Sequence, residues 1–174
     1  GAQLGAQAIS TSVKAGIAGL VLVFLLMCFL YLLPGLASSL ALVIYTGLVL
    51  VILNAFDITL TLPGLAGIIL GIGMAVDANV IIFARVKEEM SKGRSVRNSL
   101  KEGFHKAMSA IVDGNVTTLI AAAVLWLKGS GSVKGFAQTL AIGIIVSMFT
   151  ALVITRMIVY AFYAVGIHSE KLYY

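Results

Sequence analysis

The chain has 174 residues, 60% of them hydrophobic and 11% charged, with a mean hydropathy of +1.08. A soluble globular domain carries about 25% charged residues, so this composition excludes one, and apolar blocks of about twenty residues suit a hydrocarbon core of roughly 30 Å. Twelve Lys/Arg against seven Asp/Glu give a net charge of +5. Seven of those twelve cations fall within 85–106, which reads as a cytoplasmic loop under the positive-inside rule rather than as a nucleic-acid surface.

Residues 1–13 lack the basic start and apolar core of a signal peptide and read as an extracytoplasmic lead-in from an external domain of a longer protein. The first span covers about 14–33 and stops at Pro34-Gly35, a break that predicts a tight helical hairpin into the second, 36–55. Cys28 is the only cysteine, so an internal disulfide is excluded. A short connector around Asp57 leads to the third span, 61–84, with Thr61 as N-cap and Pro63 in the first turn.

The loop 85–106 is amphipathic: Val86, Met90, Val96, Leu100 and Phe104 recur at near-helical spacing, and Glu88 and Lys92 form an i,i+4 pair. Gly93 and Ser95 divide it into two helices, Ser95 capping the second, and it is expected to lie along the membrane surface. The fourth span, 107–127, ends at Trp126 and a Gly/Ser turn, a composition suited to the interface. The fifth runs from about 135 to 160, with an apolar-aromatic stretch to 165 and a tail at 166–174. The expected fold is an all-α, polytopic membrane bundle of five spans. The positive-inside rule puts the basic loop and the C-terminus in the cytoplasm and the N-terminus outside.

Two acids lie inside expected spans, Asp77 and Asp113. Each costs ~2.5–3.5 kcal/mol on insertion scales, so each is read as functional by default. Asp77 stands eight residues before Arg85 and Asp113 seven after Lys106, which at 1.5 Å per residue puts both roughly 10–12 Å inside the cytoplasmic edge. Antiparallel neighbours can then hold two carboxyls at one level, a proton-binding pair. Asn79, Asn115, Thr117 and Thr118 are the supporting polar residues. Asp77 shares a helical face with Leu70, Gly73, Met74, Val80, Ile81 and Ala84, whereas Asn79 points almost oppositely. Gly64, Gly67, Gly71, Ala75 and Ala78 form a small-residue stripe that should bury the third span in the bundle. The simpler alternative is that each acid only hydrogen-bonds a neighbour, that Asn115, Thr117 and Thr118 serve local structure, and that the basic loop contacts lipid headgroups. Arg156 reads as a snorkelling boundary residue. His105 and His168 lack ligand partners in sequence, so no metal or other cofactor is expected, and no catalytic constellation marks an enzyme.

Gly71-Ile-Gly-Met-Ala-Val-Asp77-Ala-Asn79-Val-Ile-Ile-Phe83, with 60–69 before it, 113–120 after the basic loop and 133–151 beyond, resembles the SecD family of the bacterial Sec protein-export machinery. The resemblance implies an RND-type six-helix half, with this chain holding the second to sixth spans. It implies a membrane subunit that couples the proton motive force to late steps of preprotein translocation. The implied partners are a SecF-like half, separate or fused, the SecYEG translocon, and preprotein held by an external domain. The family's essential transmembrane carboxylate matches Asp77, and Asp113 falls on the acidic position of the next span. Three positions depart from the family: Ala84 stands where many members have Glu, Leu32 replaces a frequent basic residue, and Gly114 is an unusual neighbour for Asp113. An RND-type proton-driven exporter of lipids or small hydrophobic molecules would share the acids and the small-residue stripe. A structural scaffold for the translocon would need neither acid. An intramembrane aspartyl protease fits poorly, because Gly71 and Gly73 are not contiguous with Asp77.

Overall fold

Proline inside a helix removes a backbone donor and crowds the preceding turn, and the chain uses Pro34-Gly35 to reverse direction. The computed structural model describes residues 2–58 and 60–164, with only the backbone of 2–5, 32 and 33; Gly1, Thr59, Val165 and the tail 166–174, including His168 and Lys171, lie outside the described residues. Helix α1, Ala2–Ala55, comprises two arms, Ala6–Tyr31 and Pro34–Ala55. Cys28 Sγ and Ser39 Oγ are 3.8 Å apart, whereas eleven residues of straight helix would separate them by about 16 Å. The expected hairpin is therefore present. Gly35 permits it, because a side chain there would run into the carbonyl of Met27.

Helix α2, Leu62–Ser91, starts as expected: Thr61 Oγ1 accepts from the Gly64 amide at 3.1 Å and Pro63 occupies the first turn. Ser95 caps α3, Val96–Lys128, accepting from the Asn98 amide at 3.3 Å. The last span, Ser132–Ala164, is built from α4 (Ser132–Phe149), one π-helical turn (Thr150–Ile154) and α5 (Thr155–Ala164). Among the described residues, 5 helical stretches are long and apolar enough to cross a membrane. Lys134 lies 5.3 Å from the Trp126 ring centroid across the α3–α4 turn.

The segment 85–106 differs from expectation. It is no separate surface element: its first part completes α2, its second opens α3, and only Lys92 to Ser95 breaks the helices, with Gly93 at φ 84°. The two parts pack on each other, the Gly103 backbone pressing on Val86. The apolar stripe that suggested a lipid-facing surface is buried instead, Val86, Val96, Leu100 and Phe104 joining Val159 of α5 in one core. Bundle contacts satisfy the amphipathic face before lipid is needed.

Glu89 holds this extension together. Its carboxylate is buried and accepts from Lys106, with Arg94 Nε at 3.0 Å and Lys92 Nζ at 3.5 Å. Removing one partner of a buried ionic cluster leaves the remaining charges uncompensated. Glu89→Ala is therefore expected to loosen the hairpin between α2 and α3, read as severalfold faster tryptic cleavage after Lys92 and Arg94 in the folded protein.

Helix α2 is central and packs most extensively against α4 and α3. The small-residue stripe makes this possible, since Gly64, Gly67, Gly71, Ala75 and Ala78 are all buried. At the α2–α4 crossing Gly71 faces Gly143: a Cβ on Gly71 would meet the Gly143 Cα at 3.7 Å and the Tyr45 hydroxyl at 2.5 Å. Backbones approach this closely only where both helices offer small residues.

Candidate functional site

Asp77 is not buried within this chain. It lies on the face of α2 turned away from the small-residue stripe, together with exposed Leu70, Gly73 and Ala84 and half-buried Met74, Val80 and Ile81. That is the face the helical period assigns to it. The carboxyl borders an open groove of about 240 Å³ between α2 and α3, where α3 contributes Gly114, Asn115 and Thr118. Asn115 is buried and supplies amide polarity, and the Thr118 hydroxyl donates to its own helix at Gly114 O, 3.1 Å away. Gly114 leaves the α3 side of the groove open, with nothing within 4 Å of where its side chain would be. Among the described residues no ion pair involves Asp77.

Asp113 does not share this groove. The residues of α3 that line it are Ala110, Ile111, Gly114, Asn115 and Thr118. At 100° per residue Asp113 points about 200° from Asn115. It sits on the exposed side of α3 with Val116, Ile120 and Val124, while Thr117 donates to its backbone carbonyl at 2.9 Å. Equal depth in the membrane does not bring the two acids together here, because their helices present them in different directions. A carboxyl among exposed apolar residues of a span is costly against lipid.

Asn79 also belongs elsewhere. It is buried on the far side of α2, where the Thr155 hydroxyl donates to its Oδ1 at 3.0 Å. Thr155 directly follows the π turn, a distortion often found at functional positions. Sequence reasoning missed this pair and the buried Tyr45; periodicity flags polar residues inside a span but not a partner 76 residues away. Thr155→Val would leave the Asn79 carbonyl unpaired. The expected cost is about 0.6–2 kcal/mol, measured as a lowered thermal unfolding midpoint in detergent.

These features define a class: a multi-pass helical membrane protein whose glycine-rich central helix presents an acid to a partly polar groove on an open face. The family described as "Protein export membrane protein SecD/SecF, C-terminal" matches residues 1–165, and the chain belongs to it. It is 52% identical over 158 residues to the protein translocase subunit SecD of Acidaminococcus fermentans, covering 91% of this chain and 38% of that protein. It is 54% identical over 156 residues to SecD of Synechocystis sp., covering 90% and 33%. The fused subunit SecDF of Bacillus subtilis is 46% identical over 158 residues, covering 91% and 21%. In three dimensions it is similar to the crystal structure of SecDF from Thermus thermophilus, described as a translocon-associated membrane protein, with a TM-score of 0.88 and 39% identity over 91% of this chain and 22% of that one. The chain thus spans about a third of the SecD relatives it matches.

Proposed function

We propose that this chain is the membrane-embedded part of a SecD-type subunit that couples the proton motive force to late steps of preprotein export, with Asp77 as the proton-carrying group. One observation carries the reading: an acid with no cationic partner among the described residues stands at a partly polar groove on the open face of the central helix. Protonation removes a charge that costs ~2.5–3.5 kcal/mol in hydrocarbon. A proton crossing the membrane supplies ~2.3 kcal/mol per 100 mV, enough to bias two packing arrangements of the helices around α2.

Covering the open faces falls to a SecF-like half, separate or fused as in the SecDF relatives. Asp113, on the exposed side of α3, then tunes or relays the proton across that contact rather than within this chain. The basic 85–106 segment and the C-terminus lie in the cytoplasm and the N-terminus of the chain outside, in the bacterial cytoplasmic membrane. SecYEG and a preprotein engaged by an external domain complete the assembly. Proton-dependent stimulation of preprotein export in membrane vesicles tests the reading: stimulation that survives loss of the Asp77 carboxyl in a correctly assembled complex overturns it.

A further inference from the structure

The cytoplasmic end of the last span changes character within two turns. Val153 and Met157 are 39% and 63% exposed, an apolar strip suited to lipid, while Arg156 and Tyr160 follow on the same helical face. Arg156 is held in place: its guanidinium lies 5.5 Å from the Phe104 ring centroid, and that ring stands 6.4 Å from the Tyr160 ring. From the start of α3, Arg97, Asn98 and Lys101 face them, and these five residues line an open pocket of about 520 Å³. Three cations share the pocket, and among the described residues no carboxylate lines it. Among the described residues no ion pair involves Arg97, Lys101 or Arg156, so none of the described carboxylates neutralises the charges gathered here.

We infer that this pocket binds the phosphate headgroup of an anionic phospholipid. Two guanidiniums offer forked donors that match phosphate oxygens, the Asn98 amide and Tyr160 hydroxyl add polar reach, and the Val153–Met157 strip continues the site into the acyl region. Basic pockets between helices on the cytoplasmic side suit such headgroups. A free phosphate would satisfy the cations but leave the apolar strip unused. The anionic lipid fits both halves of the site.

The experiment is native mass spectrometry of the full-length, delipidated protein titrated with dioleoyl phosphatidylglycerol, with dioleoyl phosphatidylcholine and inorganic phosphate as alternative ligands. One phosphatidylglycerol is retained in preference to phosphatidylcholine. R97Q/R156Q weakens its binding by about tenfold to thirtyfold, whereas R85Q/K87Q, which removes the same charge from the same side, changes it by less than about twofold. R97K/R156K, keeping the charge, retains most of the affinity. If R97Q/R156Q does not fold, R97Q/K101Q carries the same expectation, since both residues are exposed. Equal losses in the site and control variants, equal retention of phosphatidylcholine, or displacement of the lipid by inorganic phosphate overturns the inference.

Discussion

Asp77→Asn is expected to remove the whole proton-dependent component of export while leaving the subunit assembled and in the membrane. Asn matches Asp in size and keeps hydrogen-bonding capacity at the groove, so packing between α2 and α3 survives; what is lost is the ability to exchange a proton. The substitution also removes the charge, whose cost in hydrocarbon is ~2.5–3.5 kcal/mol, so the folded bundle should be no less stable than the parent. The measurement is preprotein translocation into inverted vesicles carrying the full-length subunit, with the proton gradient present and then collapsed. Parent vesicles slow when the gradient is collapsed; Asp77→Asn vesicles run at the slow rate in both conditions. Asp113→Asn, at a position outside the Asp77 groove, should lower the gradient-dependent part without abolishing it. A chain acting only as a scaffold would show no difference between parent and Asp77→Asn, and that result would exclude proton carriage by this residue.

Gly67→Ala is expected to carry the largest stability cost of any single-methyl addition to α2. The new Cβ would collide with Thr139 Oγ1 and stand 3.0 Å from the Phe136 carbonyl oxygen and 3.3 Å from the Leu140 amide nitrogen. Thr139 is buried, its hydroxyl donating to Gly135 O at 3.3 Å and Phe136 O at 3.1 Å, and the other two obstacles are backbone. Relief therefore requires α2 and α4 to move apart along the most extensive contact in the bundle. Overpacking of this kind costs about 1–3 kcal/mol, read as a lower unfolding midpoint in detergent. Adding Thr139→Ala removes one of the three obstacles and should restore part of the loss. Gly73→Ala is the control on the same helix: nothing lies within 4 Å of its Cβ position, and alanine favours the helix by up to about 1 kcal/mol. A midpoint for Gly67→Ala equal to that of Gly73→Ala would refute the close α2–α4 approach.

Features governed by local chemistry were legible in the residues. Thr61 and Ser95 cap helices because a hydroxyl two or three residues ahead of free amides can hardly do otherwise, and Pro34-Gly35 turns because a helix cannot run straight through it here. The divergence of Asn79 from Asp77 follows from 200° of helical rotation. The pairing of the two acids was not legible: depth comes from counting residues, but whether two side chains meet depends on how each helix is rotated against its neighbour. The same gap hid the partner of Glu89. Spacing on the helix draws attention to Glu88 and Lys92, which do lie 4.0 Å apart, yet the buried carboxylate is Glu89 and its closest cation, Lys106, comes from the opposing helix.

Composition and period alone thus determined a bundle of membrane spans, its helix starts and reversals, the small-residue stripe that buries α2, and an acid about 100° round that helix from the stripe. Only the tertiary structure decided that Asn115 and Thr118, rather than Asp113, stand across the groove from Asp77, that the basic segment extends two helices instead of lying flat, and that Arg97, Lys101 and Arg156 gather in one pocket. The reason is physical: the 3.6-residue repeat ties side chains to directions around one axis, while which directions face each other is set by packing between axes, where close approach of glycines and the filling of space outweigh any local preference.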